Sequence, residues 1–349
     1  MHAVMTARRV LPAAGIAVAC ALTAPPAHAD VDIGSGNEGA KVQQEGSNSG
    51  RTLESRITFS GTTVGGRGGT SGSLKPVGNW TPPACWYEPR SAQEFAQYIE
   101  DMYETTVNTP GQHSYAKTSA GKTRKKYKDG EYENYNLENK DEGNWWVAVQ
   151  DENRWMEPEA QVCDREPFWV ENGDAPDVES AITPQVLAEL AYNRVRLPTT
   201  EVTLAPAETT KVNLPTWAWL GRADFREVSV TASLNAGGVN IQATTTAKPV
   251  SLKLEPGTDD AETYPASGEC TINNDGSIGE PYAKGKADEV PSCGLRYLRS
   301  SGDGTFKLQA TVTWAITWAG TGGTGGDLPD GTFGDDQAVT VQEIQAVNR

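Results

Sequence analysis

The chain has 349 residues with 46 acidic and 30 basic side chains, a formal net charge of −16. That balance excludes nucleic acid, whose phosphates need a basic face, and disfavours anionic membrane surfaces. Thirty-six glycines, 21 prolines and a hydrophobic fraction of 37% exclude a helical bundle and favour loop-rich β structure, in a chain long enough for about two domains.

Residues 1–29 read as a secretory signal peptide. Arg8 and Arg9 are its positive end, Val10 to Leu22 its apolar stretch, and Ala27-His28-Ala29 a small-residue cleavage site before Asp30. Ala17-Val18-Ala19-Cys20 loosely matches a lipoprotein box but has Ala where Leu is expected, so soluble export is preferred. No later segment approaches about 18 apolar residues, and the mature chain is expected to have no transmembrane span. Residues 30–79 are rich in Gly, Ser, Thr and Asn and bury too little to offset ordering entropy. They are expected to be a flexible segment with at most a short strand around Arg56–Phe59.

Residues 80–198 form a Trp-rich mixed α/β region with two predicted helices. Ser91 and Glu94 make a capping box, after which Phe95, Tyr98, Ile99, Met102 and Tyr103 share one helical face. The second helix starts with Thr183 as cap and Pro184 in its first turn, runs through Leu187, Leu190, Ala191 and Arg194, and stops before Pro198. Between them, basic Lys122–Lys128 and the mostly acidic Asp129–Glu142 read as a solvated loop.

From residue 199 the period becomes two. Val228, Val230, Ala232 and Leu234 lead into a turn at Asn235-Ala236-Gly237-Gly238 and back through Val239, Ile241 and Ala243. Phe306 to Trp318 places seven apolar residues on one strand face, and Val250-Leu252-Leu254 and Val339-Val341 add strands. Residues 199–349 are therefore expected to be an antiparallel β-sandwich, and the fold class mainly β with an α+β N-terminal region.

Without the leader four cysteines remain, an even number in an exported chain and so two disulfides. Of the three possible pairings, sequence proximity favours Cys85 with Cys163 and Cys270 with Cys293.

Several segments look like one set: Cys85-Trp86-Tyr87-Glu88-Pro89, Leu197-Pro198, Val212-Asn213-Leu214-Pro215-Thr216-Trp217-Ala218-Trp219, Cys293-Gly294-Leu295-Arg296-Tyr297 and Thr313 to Trp318. Together they resemble an uncharacterised family of exported actinobacterial proteins, some with a C-terminal domain like the PKD repeat. That resemblance implies an immunoglobulin-like, usually non-catalytic sandwich. The PKD signature is divergent here, with Leu254-Glu255-Pro256-Gly257 and Leu295-Arg296-Tyr297 in its two places, so it carries over no binding residue.

Motifs with chemical associations are few. Ala116 to Thr123 fits a relaxed P-loop, but no strand precedes it and no apolar helical stripe follows, so no nucleotide is expected. Gly320-Thr321-Gly322-Gly323-Thr324-Gly325 satisfies G-x-G-x-x-G but runs into Asp327-Leu328-Pro329, which reads as a hairpin loop. His113 is the one histidine outside the leader, which excludes multi-His zinc sites and leaves a Ser-His-Asp triad without support. Glu157, Glu159, Asp164 and Glu166 lie among Trp155, Phe168 and Trp169, the best place for a carboxylate pair. Asn273-Asn274-Asp275-Gly276 and Asp259-Asp260 are the places where Ca²⁺ would find oxygens, and no other cofactor is suggested. Six of the ten tryptophans fall between Trp80 and Trp169. Most are expected in cores, with Trp145, Trp146, Trp155 and Trp169 as candidates for stacking on a glycan.

The sequence thus reads as a secreted, non-catalytic protein, free or cell-wall associated, whose sandwich contacts envelope proteins or cell-wall glycan. A carbohydrate-active hydrolase using carboxylates of the Trp-rich region is the alternative.

Overall fold

The computed structural model describes residues 41–42, 55–62, 72–198, 201–222, 225–286 and 289–344. The predicted leader, its cleavage site and the lipoprotein box lie outside these residues, as does most of the predicted flexible segment.

The N-terminal elements are short strands followed by a small α/β layer. β1 (Lys41–Val42), β2 (Ile57–Thr62), β3 (Gly72–Ser73) and β4 (Lys75–Pro76) come first. β5 (Cys85–Arg90), α1 (Ala92–Asn108), α2 (Ser114–Lys128), β6 (Gly143–Gln150), β7 (Phe168–Glu171), α3 (Pro184–Arg194) and β8 (Arg196–Leu197) follow. α1 starts at the expected capping box: the Glu94 amide donates to Ser91 Oγ at 3.3 Å and the Ser91 amide to Glu94 Oε2 at 3.0 Å. α3 starts as expected too, with the Val186 amide donating to Thr183 Oγ1 and Pro184 in the first turn.

One expectation fails here. Lys122–Lys128, read as part of a solvated loop, belong to a helix over residues 114–128. Its inward stripe is Ala116, Ala120, Thr123 and Tyr127, spaced 4, 3 and 4 apart, but three of the four are small and carry almost no hydrophobic signal. The short strand allowed around Arg56–Phe59 is present as β2, which lies between β1 and β12 with Ile57 buried. Backbone pairing holds residues whose side chains bury little.

The remaining elements are strands: β9 (Thr203–Ala205), β10 (Thr209–Lys211), β11 (Thr216–Leu220), β12 (Val228–Ala236), β13 (Val239–Glu255), β14 (Ala261–Tyr264), β15 (Glu269–Thr271), β16 (Ile278–Gly279), β17 (Gly294–Tyr297), β18 (Phe306–Gly320) and β19 (Thr324–Gln342). A nine-stranded sheet runs β1-β2-β12-β13-β18-β19-β10, with β15 also on β13 and β4 on β19. All its pairs are antiparallel except β10 with β19. A five-stranded antiparallel sheet runs β14-β17-β11-β16 with β9 on β11, and β5-β6-β7 form a third. The fold is mainly β with antiparallel sheets, as expected. The predicted β12–β13 turn is there, and Gly237 and Gly238 take the positive φ (55° and 73°) that a tight hairpin needs. The G-x-G-x-x-G segment is the turn joining β18 to β19, which then continues as a strand through Asp327 to Gly331.

β13, β18 and β19 are unusually long, and two bulges meet at the level of Trp314. On β13, Pro249 and Ser251 oppose Trp314 and Thr313, leaving Val250 extra; on β19 one extra residue lies between Leu328 and Gly331. β18 itself is uninterrupted, burying Leu308, Ala310, Val312, Trp314 and Ile316 along one face. The β13 bulge switches parity from Ala243, Thr245 and Ala247 to Leu252 and Leu254, so the inner face stays inner while the sheet twists. One end of this face is covered by α3, where Thr245 Oγ1 donates to the Ala188 carbonyl at 2.7 Å. The other end meets the five-stranded sheet, tied by the Tyr297–Phe306 stack and the Thr210–Thr216 hydroxyl pair.

The two disulfides are Cys85–Cys163 and Cys270–Cys293, the pairing that proximity favours. The first ties β5 to the loop before β7. The second joins β15 of the nine-stranded sheet to the start of β17 in the five-stranded one. Residues 36–349 form one contact unit.

Candidate functional site

The Trp-rich region is organised around a buried ring. Trp145 is 0% exposed, stacks on Phe95 at 4.3 Å, and meets Tyr127, Tyr132 and Trp169 edge-on. Its Nε1 donates to the carbonyl of Tyr135, which sits in left-handed backbone (φ 61°). Trp146 is also buried and Trp169 half-buried. Two of the four glycan-stacking candidates are therefore core residues with no ring face to offer. Trp155, 55% exposed beside exposed Met156, is the most open of the four.

The nearby carboxylates do not converge. Glu157 pairs with Arg154 at 2.7 Å, Glu166 pairs with Lys126, and Glu159 is exposed. The P-loop lookalike is inside α2, whose amides serve the helix, so it forms no phosphate cradle. His113 is exposed at the start of that helix.

Sequence reasoning missed one buried charge centre. Glu88 and Arg90 are 0% and 1% exposed and pair at 2.9 Å. Glu88 Oε1 also accepts from Trp86 Nε1 (2.7 Å) and Ser55 Oγ (2.6 Å), and Oε2 from the Arg56 amide (3.0 Å). With both oxygens engaged twice, this carboxylate is a clamp between β5 and the entry to β2, not a proton carrier. The period-two spacing of Trp86, Glu88 and Arg90 puts all three on one face, the signal that could have found it.

The open cavity lies at the junction of the β11–β12 connection, β13 beside its bulge, and the β15–β16 turn. It measures about 940 Å³. Three segments build its wall: the β11–β12 connection with Arg222, Phe225 and Arg226, the β13 residues Lys248 and Pro249 just before the bulge, and the β15–β16 turn. Phe225 is buried and with Pro249 and Ile272 gives an apolar floor, while the three cations are exposed around it. None of the three enters a salt bridge among the described residues.

The β15–β16 turn contains the segment singled out for Ca²⁺, and its oxygens are used otherwise. Asp275 Oδ1 accepts from the Ser277 hydroxyl (2.6 Å) and amide (2.9 Å). These bonds, aided by the Arg222 charge, lower the Asp275 pKa below the ordinary carboxylate value. Asn273 spends its amide on Ser277 Oγ and the Gly279 carbonyl. At Gly276 (φ 82°) a Cβ would lie 3.3 Å from Arg222 Cδ, so glycine lets the turn close beside the arginine. Among the described residues no cluster of three His, Cys, Asp or Glu is placed to hold a metal.

Sequence reasoning missed this cavity because its cations come from positions 222, 226 and 248, which lie in two separate segments, have no periodicity and are interspersed with Asp224 and Glu227. No protein-family model, curated protein or solved structure matches the chain.

Proposed function

We propose that the chain is an exported, non-catalytic binding protein, secreted or associated with the cell envelope, that holds its partner at the junction cavity. The cavity carries this reading: about 940 Å³ of open space with three cations left outside any salt bridge among the described residues. A protein of net charge −16 that keeps such a group together in a concave site has the form of a receptor for a ligand of opposite charge. The carboxylates around Trp155 are dispersed or paired to cations, which favours binding over hydrolysis.

We further read the C-terminal half as an immunoglobulin-like sandwich, the fold of the PKD-like domains that the sequence resembles. The strand order supports it. β9-β11-β17-β14 matches an A-B-E-D sheet, and β13-β18-β19 matches a C-F-G sheet with β15 added at one edge and the parallel β10 at the other. Two disulfides and a leader-like N-terminus support export.

The test is retention. The mature chain is incubated with isolated cell wall, and in parallel crosslinked in intact envelopes. Binding to wall or recovery of a specific envelope protein is expected; passage through the wall fraction with no crosslinked partner overturns the reading.

A further inference from the structure

We propose that the junction cavity binds an acidic saccharide, a sugar chain bearing carboxylate groups; this rests on the reading of the chain as a binding protein and names its ligand class. Arg222, Arg226 and Lys248 supply donors suited to a carboxylate, and the two guanidinium groups can engage it through paired N–H bonds. The rest of the wall argues against a bare or highly charged anion. Glu227 and Asp275 stand in the same cavity, so its cationic excess is small and matches one carboxylate, not a cluster of phosphates. Those two carboxylates accept hydrogen bonds, and the several hydroxyls of a sugar can donate to them while its carboxylate faces the cations.

The floor points the same way. Ile272 is half-buried above the buried Phe225 and Pro249 and gives a small apolar patch against which the C–H face of a pyranose ring can rest. Cations at the rim, acceptors beside them and an apolar patch are three separate requirements, and a carboxylated sugar meets all of them. The cavity is open and large enough for more than one ring, so a chain rather than a monosaccharide fits it.

The experiment is calorimetric titration of the mature protein with tetragalacturonate, maltotetraose and inorganic phosphate. Tetragalacturonate is expected to bind at least about tenfold tighter than maltotetraose, a preference that shrinks at high salt. The doubly substituted R226Q/K248Q protein should lose about tenfold or more in uronate affinity with its melting temperature unchanged, because both side chains are exposed. Three results overturn the proposal: no uronate binding, equal binding of the neutral tetrasaccharide, or displacement of uronate by phosphate at equal concentration. Cell-wall retention that survives in R226Q/K248Q also overturns it and moves the binding site away from this cavity, while the chain remains an exported binding protein.

Discussion

Glu88 shows how much one residue can hold in this chain. A buried carboxylate is costly unless its lone pairs are filled, and here four donors fill them: Arg90, Trp86, Ser55 and the Arg56 amide. Glu88→Gln keeps the shape and most of these contacts but removes the charge against which Arg90 is buried. The expected cost is about 3 kcal/mol, read as a lower urea midpoint with unchanged slope. A loss below about 0.5 kcal/mol would mean that the pair is no more than a surface-like contact. The cavity cations are the contrasting case. They are exposed, make no salt bridge among the described residues, and contribute little to stability, which leaves them available for a ligand.

At the scale of elements, α1 and α2 are joined by a single carboxylate. Glu100 accepts from Arg124 Nε at 2.6 Å, Lys128 Nζ at 2.7 Å and Tyr135 OH at 2.6 Å. The Arg124 bond chiefly, with those from Lys128 and Tyr135, lowers its pKa to about 2 against the opposing effect of partial burial. A folded pKa below the unfolded one stabilises the fold above the unfolded value of 4.5, and that stabilisation is lost as the pH falls towards 2. Glu100→Gln should therefore cost about 1 kcal/mol at pH 7 and almost nothing at pH 2, measured as unfolding free energy against pH. A difference independent of pH would assign the loss to packing. The same pair of helices shows what was legible in the sequence. α1 and α3 carry caps and large apolar residues at helical spacing, and the structure has both where they were expected. α2 has neither cap nor large apolar stripe, because its inner face must fit closely against α1, and close approach selects Ala, Gly and Thr. The long strands were legible by their alternation, but the bulges were not. A bulge depends on what a neighbouring strand opposes, and the cavity beside it was hidden for a similar reason, since three separate segments line it.

At the scale of the molecule, the long strands β13, β18 and β19 carry two covering layers on one continuous core. Their outer ends meet the five-stranded sheet, and their inner ends lie under α3, which belongs to the segment before residue 199. The boundary suggested by composition, 198/199, falls between that helix and the sheet it covers. α3 buries Leu187, Ala188, Leu190, Ala191 and Tyr192, and β2 and β4 pair with β12 and β19 from the same N-terminal side. Burying a leucine or a similar side chain contributes about 1.5–3 kcal/mol, so losing this layer removes an amount comparable to the whole stability of a typical domain, about 5–15 kcal/mol. Residues 199–349 expressed alone should therefore expose the face of Val230, Ala247 and Ile316, bind a hydrophobic dye and lack a sharp thermal transition. The mature full chain should unfold in a single transition with both disulfides intact. A soluble, monomeric 199–349 fragment with a cooperative transition would show instead that the sandwich end of the long strands is sufficient by itself, and that α3 only shields a sheet already stable without it.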